Sequence, residues 1–125
     1  MQTIILVMQR RPVAQGIIHH LESNQDIRLL LEPDHNHAQW MICSHSADIA
    51  LIEVAEAGVY DTARCLELCT LLREEAPTCK LLLMCPEQNA QSVSQAVEAK
   101  RQKRIDDFIF YDSTMDYLAS KLQSM

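Results

Sequence analysis

Five short apolar runs alternate with five amphipathic stretches, and this alternation constrains the fold more than any other feature of the chain. The runs cover residues 3–8, 27–32, 48–54, 80–85 and 107–111. Continuous apolar runs of this length predict buried strands, and strands separated by helices predict a parallel sheet covered on both faces. Right-handed crossovers then give a doubly wound α/β sandwich that occupies residues 1–125 as one domain.

The amphipathic stretches predict which side chains face the sheet. The predicted inner positions are Ala14 and Ile17 in the first helix, Trp40 and Met41 in the second, Cys65 and Cys69 in the third, Ala90, Val93 and Val97 in the fourth, and Leu118 and Leu122 in the fifth. In sheets of this kind ligands bind beyond the carboxyl ends of the strands. We therefore expect functional residues at 9–11, 53–58, 85–87 and 111–113, where four of the five runs end.

Composition narrows the classes of function. Eleven basic and seventeen acidic residues give a formal net charge of −6, which argues against binding nucleic acid or an anionic membrane over the whole domain. The apolar runs are far shorter than the roughly 20 residues of a membrane span, and no signal peptide precedes the first run. Five cysteines without a CxxC pair favour reduced thiols. We expect a cytoplasmic protein with no membrane association.

Several motifs resemble the receiver domain of two-component response regulators, and the resemblance covers essentially the whole chain. The segment ADIALIEV at 47–54 looks like the family's third strand, and Gly58 lies where the following loop usually has a glycine. The segments SQAVEA at 94–99 and IDDFIFYD at 105–112 look like the end of the fourth helix and the fifth strand. This resemblance implies a flavodoxin-like sheet of order 2-1-3-4-5 and a role in phosphorelay signal transduction.

The resemblance also locates the family's catalytic positions, and all five of them depart from the family pattern. The acidic pair after strand one maps onto Gln9 and Arg10, the phospho-accepting Asp onto Glu53, the Ser/Thr onto Cys85 and the Lys onto Tyr111. The positions therefore hold one Arg and one Glu in place of three carboxylates and a Lys. Mg²⁺ prefers carboxylate oxygens, and a guanidinium repels it. We predict a degenerate pseudo-receiver without catalytic residues, cofactor or Mg²⁺ binding, whose pocket is closed by a contact between Glu53 and Arg10.

The sequence leaves two other functions open. Glu53 could accept a phosphoryl group, or it could mimic the phosphorylated state with its longer side chain. Alternatively, Cys85 or the histidines His35, His37 and His45 could make the domain a thiol or metal sensor. An H-x-H in a loop is weak evidence for a metal site, so exposed histidines and a buried Cys85 are the expectation.

The end of the fourth helix and the fifth strand carry the candidate interaction residues. Phe108 matches the family's switch aromatic, with a fixed core aromatic as the alternative. The basic residues Lys100, Arg101, Lys103 and Arg104 complement a helix C-terminus, or they dock an acidic partner. We expect a histidine kinase, effector or output domain as protein partner, contact with nucleic acid only through an absent effector domain, and a homodimer through helix four, strand five and helix five.

Overall fold

The computed structural model describes residues 2–55 and 58–125. Within these ranges the chain forms a five-stranded sheet flanked by five α-helices and one short 3-10 helix. The elements are β1 (Gln2–Val7), α1 (Arg11–Leu21), β2 (Ile27–Glu32), η1 (His35–His37), α2 (Ala38–Ser44), β3 (Ile49–Glu53), α3 (Thr62–Glu75), β4 (Lys80–Cys85), α4 (Ala90–Arg101), β5 (Asp107–Phe110) and α5 (Met115–Gln123). The predicted runs agree with these strands to within one residue at each end.

The strand order is β2-β1-β3-β4-β5 and every pairing is parallel, which confirms the predicted doubly wound sheet. Val7 pairs with Glu32 and with Ile52, and Cys85 pairs with Phe110. All five strands therefore end at one edge of the sheet. The residues that follow β1, β3, β4 and β5 meet there.

Alternate strand residues form two cores, one on each face of the sheet. Ile5 and Val7 pack with residues of α2, α3 and α4 such as Ile42 and Leu72. Ile4 and Leu6, on the opposite face, pack with α1 and α5. Both faces exclude water, which is why the strands read as unbroken apolar runs.

Side-chain caps begin the three helices that follow β3, β4 and β5, at the edge of the sheet where those strands end. Asp61, Asn89 and Thr114 accept hydrogen bonds from the backbone N–H groups three residues on, at the first turns of α3, α4 and α5. These caps satisfy N–H groups that a helix leaves without a partner and fix where each helix begins.

The residues predicted to face the sheet are wrong in part for α2 and α4. Trp40 is 59% exposed, because the seven-residue α2 turns Ala38 and Ile42 toward the sheet instead. Val97 is 50% exposed and Ala90 is exposed, because α4 packs through Ser92, Ala96 and Ala99. The Ser92 hydroxyl bonds to the buried Thr62 hydroxyl of α3, so a polar pair lies where an apolar stripe was expected.

No helix in residues 2–55 and 58–125 has the length and apolar character that crossing a lipid bilayer requires.

Candidate functional site

The Glu53 carboxylate forms the centre of the site at the carboxyl edge of the sheet. Its side chain is 4% exposed. Oε1 accepts hydrogen bonds from the backbone N–H groups of Gln9 at 3.0 Å and Arg10 at 3.4 Å, and Oε2 accepts from Arg10 Nε at 2.9 Å. The predicted contact between Glu53 and Arg10 is present. Both carboxylate oxygens are therefore bonded to the β1–α1 turn, which covers them. The negative charge of the carboxylate offsets the positive charge of Arg10.

Arg10 also contacts the end of β5. Its guanidinium carbon lies 3.9 Å from the centre of the Tyr111 ring, a cation–π distance. The Arg10 side chain is 45% exposed, so it forms the outer wall of the site. Arg10, which itself follows β1, thus contacts both Glu53 at the end of β3 and Tyr111 after β5.

This set of donors does not suit Mg²⁺. At the positions where the family resemblance implies two metal-binding carboxylates, the chain has the Gln9 amide and the Arg10 guanidinium. The one carboxylate, Glu53, already accepts three hydrogen bonds from that turn. An oxygen-seeking dication would have to displace a cation from the same carboxylate.

Cys85 is a fully buried residue at the end of β4. Burial raises the pKa of its thiol to about 12, so the reactive thiolate is scarce at neutral pH. Burial likewise raises the pKa of Cys69 and of Cys79 to about 12. These properties favour a packing role for the Cys85 side chain over a role as a sensing thiol.

The prediction that the HNH histidines are exposed is wrong for His35. This residue is 4% exposed, and its Nε2 lies 2.7 Å from the Glu53 carbonyl oxygen. Its ring stacks on Tyr60 with centroids 4.3 Å apart. The short η1 helix turns His35 inward because Asp34 caps it by accepting a hydrogen bond from the Asn36 N–H. Sequence reasoning missed this contact because a three-residue 3-10 helix has no periodicity to detect.

The other two histidines have separate partners. His37 bonds through Nδ1 to the buried carboxylate of Glu32 and stacks on Trp40. His45 Nδ1 lies 3.3 Å from Arg28 Nη2. Among the described residues no three His, Cys, Asp or Glu side chains are grouped so that they could hold a metal ion.

Most of the basic tract is engaged within the chain. Lys100 Nζ lies 3.0 Å from Asp107 Oδ1, and Arg101 pairs with Glu98 on the same helix. Arg104 Nη2 donates to the Leu66 carbonyl at 3.5 Å and to the Thr70 hydroxyl at 3.4 Å. Lys103 is exposed in the turn after α4. These contacts fix the end of α4 against β5 and α3.

Phe108 packs against the core beneath α4 and makes an edge contact with Phe110, with ring centroids 5.8 Å apart. It is half-buried on the edge strand. This position fits both predicted roles of Phe108, a switch aromatic and a fixed core aromatic.

Comparisons with known proteins identify the fold. A response regulator from Thermotoga maritima has a TM-score of 0.79 at 19% identity, over 98% of this chain and 95% of that one. The signal receiver domain of a putative Luxo repressor protein from Vibrio parahaemolyticus has a TM-score of 0.81 at 12% identity, over 98% and 88%. An adenylate cyclase from Rhodopirellula baltica has a TM-score of 0.80 at 14% identity, over 98% and 85%.

Neither protein-family models nor characterised protein sequences give a match to the chain. The structural likeness at these identities shows the fold. The chain therefore has the receiver-domain fold that its motifs predicted.

Proposed function

We propose that this chain is a receiver-like signalling module that acts through protein contacts without accepting a phosphoryl group. The observation that carries this proposal is the state of Glu53. It is the one carboxylate among the five pocket positions, it is buried, and both of its oxygens are bonded to the β1–α1 turn. On this proposal the chain is not an enzyme.

Phosphoryl transfer to a carboxylate needs a free oxygen in line with the donor and positive charge around the transferred group. Attack by Oε2 would require Glu53 to release Arg10 Nε, and attack by Oε1 would require it to release two backbone N–H groups. A misplacement of about 1 Å can cost roughly 10²-fold in a positioned reaction. Tyr111 carries no positive charge at neutral pH, and the Cys85 thiol is a weak hydrogen-bond donor.

Acetyl phosphate with Mg²⁺ tests this proposal directly. We expect the intact mass of the purified protein to stay unchanged, while a receiver domain with an ordinary aspartate, treated in parallel, gains one phosphoryl group. We also expect Mg²⁺ with beryllofluoride to leave the melting temperature of this chain unaltered. A phosphoryl group mapped to Glu53 and absent in Glu53→Gln would overturn the proposal and establish the phospho-acceptor alternative.

The partner surface we propose is the face formed by α4, β5 and α5, with a second copy of the chain as partner. Asp107 lies 3.0 Å from Lys100 and 2.6 Å from Lys121 within the same chain, so these charges are already neutralised. Val97 and Tyr117, each 50% exposed, leave apolar area on the face. Apolar contact, more than charge pairing, would then hold the dimer.

Sedimentation over a wide range of concentration tests the dimer. We expect reversible dimerisation that Val97→Lys weakens. The matched control is Ser94→Lys, at an exposed position of α4 beside the groove toward α3, which we expect to dimerise like the parent chain. A monomer at every concentration would refute the dimer while leaving the phosphorylation result untouched.

A further inference from the structure

The outer edge of β2, the side of the strand that faces away from β1, has backbone groups without partners. Among the described strands β2 pairs with β1 alone. The Met8 N–H donates to the Glu32 carbonyl at 3.2 Å, so Glu32 is bonded toward β1. Because bonding direction alternates along a strand, Leu29 and Leu31 direct their N–H and C=O groups outward. In residues 2–55 and 58–125 these groups form no hydrogen bond.

The opposite edge of the sheet, at β5, is protected within the chain. The Phe108 N–H donates to the Asp107 carboxylate at 2.8 Å, and the Phe110 carbonyl accepts from the Ser113 N–H at 3.2 Å. β5 also has only four residues, whereas β2 has six. Short edge strands and covered edges prevent pairing with another chain. The outer edge of β2 has neither form of protection.

The side chains of β2 make this edge complementary to itself. Leu29, Leu30 and Leu31 are half-buried, so the middle of the edge is apolar. When two copies of β2 run antiparallel about a twofold axis at Leu30, Leu29 of each copy exchanges both backbone hydrogen bonds with Leu31 of the other. The same register places the exposed Arg28 opposite Glu32, a cross-strand pair of opposite charge. An axis at Arg28 would instead place two guanidinium groups opposite each other.

The Glu32 carboxylate has acceptor capacity left for this cross-strand pair. Its side chain is 9% exposed at the end of the strand. Oε1 accepts a hydrogen bond from His37, and Oε2 accepts one from the Asp34 N–H at 3.0 Å. Each oxygen of an ionised carboxylate has two lone pairs, so both oxygens can accept a further bond. The guanidinium of Arg28 supplies such donors.

We propose that the outer edge of β2 pairs antiparallel with β2 of a second copy of the chain, which joins their two sheets into one continuous sheet. Backbone hydrogen bonds of Leu29 and Leu31 hold the two strands together, and Leu30 packs on its counterpart across the axis. Arg28 and Glu32 set the register. Because β2 and β5 are opposite edges of the sheet, this interface is separate from the face of α4, β5 and α5.

Amide hydrogen exchange of the full chain at two protein concentrations tests the pairing. In a single copy the Leu30 N–H is directed at β1, whereas the Leu29 and Leu31 N–H groups are not, so the three amides provide an internal comparison. We expect exchange at Leu29 and Leu31 to slow by at least about tenfold between about 10 μM and about 1 mM chain, while Leu30 exchanges slowly at both. Sedimentation of the same samples should show association over this range.

Arg28→Glu should abolish the slowing, because it places a second carboxylate opposite Glu32. Arg64→Glu is the matched control, since it makes the same change of charge at an exposed position of α3, a helix that packs on α2 and α4. It should behave as the parent chain does. Val97→Lys, which targets the face of α4, β5 and α5, should also leave the slowing at Leu29 and Leu31 intact.

Exchange at Leu29 and Leu31 that does not depend on concentration would overturn the proposal. Slowing that Arg28→Glu leaves unchanged would also overturn it, because the strands would not meet in this register. Slowing that Val97→Lys removes would show that the other face causes the protection, and this result too would contradict pairing through β2. None of these results bears on whether Glu53 accepts a phosphoryl group.

Discussion

Arg10 Nε lies 2.9 Å from Glu53 Oε2 while the same guanidinium stacks 3.9 Å from the Tyr111 ring centre. The family resemblance implies a lysine after β5, reaching toward the carboxylate at the end of β3. In this chain the cation comes from the β1–α1 turn, and an aromatic ring after β5 holds it. The pocket keeps a cation beside a carboxylate without any of the residues that would supply one in the family.

Glu53→Gln should therefore lower the free energy of unfolding by about 1–3 kcal/mol, because it replaces hydrogen bonds to a charged acceptor by bonds to a neutral one. Arg10→Gln removes the same contact from the other side. In a double-mutant cycle measured by urea denaturation, we expect the two changes to couple by at least about 0.5 kcal/mol.

Arg11→Gln is the matched control for that cycle, since Arg11 is an exposed neighbour. It should change stability by no more than about 0.5 kcal/mol. Strictly additive effects of Arg10→Gln and Glu53→Gln would contradict the structure, because residues in direct contact should not behave independently.

Thiol accessibility gives a second prediction. Cys43 is exposed, whereas Cys65, Cys69, Cys79 and Cys85 are buried. Brief iodoacetamide treatment of the native protein should label Cys43 and leave Cys85, whose pKa burial raises to about 12, unlabelled. Peptide mass spectrometry after labelling in denaturant should find all five cysteines modified. Rapid labelling of Cys85 in the native protein would instead revive the thiol-sensor alternative.

Much of the fold could be predicted because both faces of the sheet are buried. Strands such as Ile49–Glu53 are apolar almost throughout, so their boundaries are visible in the sequence. Glu53 and Cys85 could therefore be placed correctly at the ends of β3 and β4. The contact between Arg10 and Glu53 could be predicted because the family resemblance maps both residues to the pocket, where they are the one cation and the one carboxylate. The carboxyl edge of a parallel sheet brings such residues together.

The remaining errors have a different origin. His35 is buried because a capped 3-10 turn directs it inward, and Val97 is exposed because a hydrogen bond between Thr62 and Ser92 sets the rotation of α4. The η1 turn is too short to show a periodicity, and the Thr62–Ser92 pair joins residues 30 apart in sequence, so the pattern along one element contains no information about either contact. Tyr111 could be placed at the site, but its role under Arg10 needs the three-dimensional arrangement.

Asp107 provides a prediction about pH. Burial raises the pKa of this carboxyl, but hydrogen bonds from Lys121, the Phe108 amide and Lys100 outweigh burial and hold the pKa below its usual range. A carboxyl whose pKa is lowered on folding contributes stability above its unfolded pKa of about 3.9, and that contribution is lost as the pH falls through the folded value. Asp107→Asn should therefore reduce stability at neutral pH and make its decline on acidification shallower.

Urea denaturation at a series of pH values down to about pH 2 measures this difference. Asp26→Asn is the control, because Asp26 is exposed and its side chain forms no ion pair among the described residues. If the free energies of unfolding of the parent chain and of Asp107→Asn fell in parallel with decreasing pH, the two lysines would not stabilise the ionised Asp107 carboxylate.

The turn after α4 yields the last prediction. The Lys103 N–H donates to the Lys100 carbonyl at 3.0 Å and the Arg104 N–H donates to the Ala99 carbonyl at 2.9 Å, which is the pattern of a Schellman motif. Lys103 occupies its left-handed position, with φ at 62°, where glycine is usual. A residue with a Cβ loses about 1–2 kcal/mol in this conformation, whereas glycine loses roughly 0.5–1 kcal/mol more backbone entropy on folding.

Lys103→Gly should therefore stabilise the chain by a net of about 0.5–1 kcal/mol, even though it removes a cation from the end of a helix, where one contributes a few tenths of a kcal/mol. For a domain of this size we expect the melting temperature to rise by about 2–4 °C. Gln102→Gly, at the preceding residue with φ at −82°, should lower it, because glycine relieves no strain there. A lower melting temperature for Lys103→Gly would mean that the lysine side chain stabilises this turn more than its backbone strains it.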